Sequence, residues 1–172
     1  MIRFRMAICI SIVIFLAILE LSYARSSDFI DNTIQLSGQT NSGVSINITV
    51  RREKFSSTSP YNYRFSWGTE LANPRFLTTS VEIKVGGENV FVPLSAYSDL
   101  TNPRNATLEP MQNGLRLIIK GGQAATSYKA ELTFEKNFIR RRKVTHGEFP
   151  SVAWEDTEYS FNVGDLSLIH IS

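Results

Sequence analysis

Tyr128, Ala130, Leu132 and Phe134 alternate strictly with Lys129, Glu131, Thr133 and Glu135. A period of two puts one apolar face toward a core and one charged face toward water, which a helix cannot do with this spacing. The next residues, Glu135-Lys136-Asn137, contain a turn signal, because Asn tolerates the positive φ of a tight hairpin. Phe138–Thr145 (FIRRRKVT) then reads as the returning strand. With Lys136-Asn137 as a two-residue turn, Phe134 faces Ile139, Leu132 faces Arg141 and Glu131 faces Arg142. Arg141 and Lys143 then fall on the apolar side. Unpartnered charge there is costly, so this strand is expected to run along a sheet edge, where inward charge blocks aggregation.

The rest of the chain repeats the same grammar. Ile30, Ile34 and Leu36 suggest a first strand, and Val44, Ile46, Ile48 and Val50 alternate cleanly with polar residues. Val81, Ile83 and Val85 pair with Val90, Val92 and Leu94 across Gly86–Asn89 as one hairpin. Asn105–Met111 and Leu115–Lys120 form another around Asn113-Gly114, a strong turn signal. Pro110 lacks a ladder donor, which places its strand at an edge. Leu94–Leu100 reads as one helical turn, Gly147–Asp156 as irregular, and Tyr159, Phe161 and Val163 as a last strand. Eight or nine short strands without a long helix predict an all-β domain over residues 25–165. An antiparallel β-sandwich is the leading architecture and a small β-barrel the alternative.

Both ends of the sequence carry their own signals. Arg3 and Arg5 precede an apolar run from Met6 to Leu19, followed by Ser22-Tyr23-Ala24. That run has about 14 residues against the roughly 20 of a spanning helix. Residues 1–24 therefore read as a cleaved signal peptide, and the mature chain is expected to be secreted or periplasmic with no membrane span. The one cysteine, Cys9, lies inside that segment, so the remainder folds without thiol chemistry or disulfides. At the other end, residues 166–172 (LSLIHIS) resemble the translation of a sequencing adapter and read as non-native, which removes His170 from consideration.

The charge balance is close, with 18 Lys+Arg against 16 Asp+Glu, and gives no reason to expect a nucleic-acid partner. Chemistry-bearing residues are few. His146 is the remaining histidine and the one catalytic candidate, although no Gly-x-Ser-x-Gly elbow accompanies it. Glu155, Asp156 and Glu158 could supply oxygen ligands to a metal, but they lack the spacing and turn glycine of a known calcium loop. No cofactor motif is present. Tyr61, Tyr63, Phe65 and Trp67 share one face of a strand, and with Trp154 form a set that could stack on sugar rings. The plainer reading of that row is a core face. Arg140, Arg141, Arg142 and Lys143 are the one basic run, split by alternation between two faces. Asn47-Ile48-Thr49 and Asn105-Ala106-Thr107 match the N-glycosylation pattern.

These features lead to the expectation of an exported, non-catalytic β-sandwich that binds an extracytoplasmic protein, glycan or surface component. The alternative is a secreted hydrolase or accessory domain that uses His146 with Glu155, Asp156 and Glu158.

Overall fold

A computed structural model describes residues 25–57, 66–69, 73–111 and 114–161. The candidates Tyr61 and Tyr63, with Phe65, the signal segment and the 166–172 tail, lie outside the described residues. Among the described residues there are ten strands: β1 (Arg25–Asp28), β2 (Thr33–Gln39), β3 (Ser45–Lys54), β4 (Phe76–Val85), β5 (Glu88–Val90), β6 (Pro103–Met111), β7 (Gly114–Gly121), β8 (Tyr128–Phe134), β9 (Ile139–His146) and β10 (Ala153–Glu158). Among the described residues, short 3-10 turns at Leu94–Ala96 and Ala124–Thr126 are the only helical elements. The chain is thus all-β. Its strands form two antiparallel sheets, one of six in the order β1-β6-β7-β8-β9-β10 and one of four in the order β2-β3-β4-β5.

Period-2 alternation builds both apolar faces. In the smaller sheet, Leu36 pairs with Ile48 and Ile48 with Ile83, while Ile34 pairs with Val50 and Val50 with Val81. In the larger sheet, Leu108, Leu117 and Leu132 form one row and Ala106, Ile119 and Ala130 the next. The two apolar faces contribute to a single buried cluster. In the second row bulk alternates, with Ile119 between two alanines. Gly121 serves a similar end beside Tyr128, since a Cβ there would fall 2.4 Å from the phenol oxygen.

Several sequence expectations need correction. The returning strand β9 is not an edge strand, because β10 pairs along its other side. Pro110 is accommodated differently as well. β6 is the second strand of its sheet, but β1 covers only Asn105–Leu108, so Pro110 lies beyond the reach of that neighbour. The last described strand is Ala153–Glu158, earlier than the Tyr159–Val163 alternation suggests. Its polar sequence fits an edge position, where apolar alternation is not required. Ile30 sits at a tight turn through Asp31 and Asn32, both at positive φ, and is 74% exposed.

The largest correction concerns the β8–β9 register. Phe134 does pair with Ile139, but a bulge follows, so that Thr133 faces Arg141, Leu132 faces Arg142 and Glu131 faces Lys143. One extra residue reverses the facing of everything after it. Arg142 therefore turns inward and Arg141 outward, the reverse of the regular register.

On the outer face of the larger sheet, ion pairs run across the strands and, between Lys129 and Glu131, along β8. Arg116 bridges Glu109 at 2.5 Å and Glu131 at 2.7 Å, and Lys129 reaches Glu131 at 2.6 Å. Burial alone would push the Glu131 carboxyl up, but Lys129 and Arg116 together hold it below its ordinary value of 4.5. A carboxyl lowered in this way contributes stability above its unfolded value and loses it as pH falls through the folded one. Urea titrations at stepwise lower pH should show wild type weakening below pH 4.5, whereas Glu131→Gln should weaken less steeply over the same window. Parallel curves for the two proteins would show that this network does not carry the acid sensitivity.

Candidate functional site

The inward turn of Arg142 creates a charged centre inside an otherwise apolar sheet face. Its side chain is only 3% exposed. Nη2 donates to Asp99 Oδ2 at 2.7 Å and Nη1 donates to the Ser95 carbonyl at 2.5 Å. Glu155 Oε2 lies 3.4 Å from the same Nη2. Two carboxylates from different segments are thus tied to one guanidinium. Asp99 and Ser95 come from the short crossing around the 3-10 turn at Leu94–Ala96, and Glu155 from edge strand β10. Burial pushes the Asp99 carboxyl above its ordinary value, with Arg142 opposing that shift. Burial likewise raises the phenol of Tyr128, which stays neutral.

An aromatic group lies against this centre. Trp67 and Trp154 stack with ring centroids 5.1 Å apart and planes 15° from parallel. His146 meets Trp154 edge-on at 5.1 Å, and Phe149 lies 5.0 Å from His146. The Trp67 indole N–H points to Glu155 Oε2 at 3.4 Å, which links the stack to the ion pairs.

Local structure explains each placement. Trp154 sits at a register shift between Ala153 and Glu155, which frees it from regular alternation. The Trp67 backbone is held on both sides: its N–H donates to the Asp99 carbonyl, and its own carbonyl accepts from the Thr101 amide and hydroxyl. Next to it, Gly68 has φ +98° and no room for a side chain, since a Cβ would lie 2.4 Å from the Thr101 carbonyl oxygen. Asn102 then clamps the neighbourhood, accepting from the Arg75 and Phe76 amides and donating to the Gly68 carbonyl. His146 Nδ1 accepts from the Glu148 and Phe149 amides, which shapes the loop into β10. Phe149 and Val152 on that loop are 61% and 51% exposed.

The candidates taken from sequence divide clearly. Trp67, Trp154, His146 and Glu155 come together at this end of the molecule. Asp156 and Glu158 do not, because they project from the other face of β10. Asp156 forms a two-pronged contact with the exposed Arg141, and that contact lowers its carboxyl. Among the described residues, no group of three or more His, Cys, Asp or Glu could hold a metal ion. The basic run is dispersed: Arg140 contacts Glu135, Arg141 contacts Asp156, and Arg142 is buried. Sequence reasoning missed Asp99, Ser95 and the inward Arg142. Among the described residues, no helix is long and apolar enough to cross a membrane.

No protein-family model, curated protein or solved structure matches this chain.

Proposed function

We propose that this protein is an exported β-sandwich that binds a glycan at its Trp67–Trp154 end, without catalysing a reaction. The supporting observation is the stacked tryptophan pair fixed to a buried ionic frame, with exposed Phe149 and Val152 alongside. Indole faces carry negative charge density and attract the polarised C–H groups on the apolar face of a pyranose ring. Glu148, exposed on the loop into β10, provides an acceptor for sugar hydroxyls at the rim. A rigid frame matters because a platform that is already ordered loses little entropy on binding. His146 fits a positioning role here, since its Nδ1 is committed to the two loop amides. The leader-like segment at residues 1–24 motivates the exported location, secreted or periplasmic.

A panel of immobilised polysaccharides and soluble oligosaccharides tests this reading. Trp154→Ala should weaken the best glycan by about 2 kcal/mol or more, the usual scale for an aromatic anchor, measured well below its melting transition, which should also fall because Trp154 packs against the core. Equal glycan affinity in the variant, or no glycan binding by wild type, would count against the proposal.

A further inference from the structure

Where β3 ends and β4 and β6 begin, the cations of this protein lack carboxylates. All three arginines of the β9 run hold an acidic side chain, as does Arg116 on the larger sheet. Arg52, Lys54, Arg75 and Arg104 form no ion pair among the described residues, and neither Asp28 nor Glu53 comes close enough to make one. A register shift separates Arg51 from Arg52. Arg51 goes to Glu82. The Arg52 guanidinium instead enters an aromatic sandwich, 4.1 Å from the Phe29 ring centroid and 4.2 Å from that of Phe76. Arg75 lies 5.4 Å from the same Phe76 ring.

Two cations thus share one ring. Attraction to the rings and the Pro103 carbonyl, which accepts from Arg52 Nη1 at 2.7 Å, hold the inner guanidinium in place without cancelling its charge. Its Nε is buried without an acceptor, and burial together with the Arg75 charge holds it below its ordinary value. Like charges kept together without a carboxylate are destabilising, and a bound anion relieves them. Arg75 is exposed, and its amide is fixed by Asn102 Oδ1 at 2.8 Å. The same asparagine holds the Gly68 carbonyl, next to Trp67. Trp67 hydrogen-bonds to Thr101 and Phe76 to Asn102, so two strand spacings, about 10 Å at about 4.8 Å each, separate the Trp67 and Phe76 backbones. One short oligosaccharide can span that distance.

We infer that the glycan bound at the tryptophan end is acidic, and that Arg75, backed by Arg52, holds its carboxylate. The inference rests on the glycan reading and adds the substrate class to it. A guanidinium offers a carboxylate two parallel N–H donors, and an exposed arginine with a fixed backbone is placed to supply them. Arg104, exposed beside Pro103, and Lys54, opposite Phe76, extend the positive field for further acidic units. Glu155 does not oppose this, because Arg142 already meets its charge. Glu148 sets the orientation: hydroxyl-rich units lie toward the loop into β10 and acidic units toward Arg75.

Oligomers of galacturonate, mannuronate and glucuronate, each beside its fully methyl-esterified form, are matched probes for calorimetry on the full chain. At least one acid form should bind about tenfold more tightly than its ester, and its affinity should fall as salt rises from about 0.05 to 0.5 M, because screening shortens the reach of the charges. Arg75→Gln should remove the preference for the acid and leave ester binding unchanged, whereas Arg75→Lys should keep part of it. Trp154→Ala should weaken acid and ester alike. An ester that binds as tightly as its acid, or an acid preference that survives Arg75→Gln, would overturn the inference and leave the glycan reading standing. Binding of no oligomer in either form would also overturn it, and the polysaccharide panel then decides the glycan reading separately.

Discussion

Replacing Arg142 with methionine should destabilise the protein by about 3–5 kcal/mol, the range for breaking a buried ion pair from one side. Methionine can fill much of the space of the arginine stem, so the loss is mainly electrostatic. Asp99 would keep its burial and lose its nearest cation, and the Ser95 carbonyl would lose a donor. The deficit should depend on pH. A carboxyl raised by burial costs nothing below its unfolded value, near 3.8, and the penalty grows as pH rises through the folded value. The gap between Arg142→Met and wild type should therefore narrow on acidification. Adding Asp99→Asn should recover a large part of the loss at neutral pH, because removing both charges is far cheaper than removing one. Denaturant titrations of the two single variants and the double variant measure the coupling. Additive losses would mean that the two side chains do not act as a pair.

Leu132→Ala should cost about 2–5 kcal/mol, as truncation of a fully buried leucine does. Leu132 lies between Leu117 and Arg142 in the middle of the larger sheet and has no exposed surface. A cavity there cannot collapse easily, since strands flank it on both sides. Thr133→Ala, one residue along, changes a half-buried outer position and should stay within about 0.5 kcal/mol. Similar losses for both would contradict the assignment of faces along β8. The two positions share one strand and one hairpin, so a general effect on strand propensity would move them together.

Much of the fold was legible because alternation in β8 and along the first half of β3 is unbroken. Each of those strands has one wet face and one dry face, and burial enforces the period. The edge strands were harder. β10 is polar on both sides, so its location depends on pairing to β9 and not on its own pattern. The tryptophan pair was half legible: Trp67 and Trp154 stand out as residue types, but 87 positions of chain separate them. Their meeting depends on the crossing near Leu100 and on the register shift at Trp154. Arg142 was misplaced for a more specific reason. Ile139 and Val144 are five residues apart, an odd spacing that regular alternation cannot bring to one face. Both are fully buried, so one extra residue had to be absorbed between them. That odd interval was the available signal for a bulge. Reading the three arginines as an edge feature concealed it. Asp99 gave no comparable signal, because its role arises only when the crossing segment is laid over β9.

The inward arginine underlies the buried ion pairs, the anchored tryptophans and the platform they form, so the β8–β9 register is the point to measure. Cross-strand backbone NOEs in uniformly labelled protein report it residue by residue. The structure predicts contacts linking Leu132 with Arg142 and Glu131 with Lys143. Contacts linking Leu132 with Arg141 and Glu131 with Arg142 would restore the regular hairpin, return Arg142 to solvent and remove the frame on which the site is built.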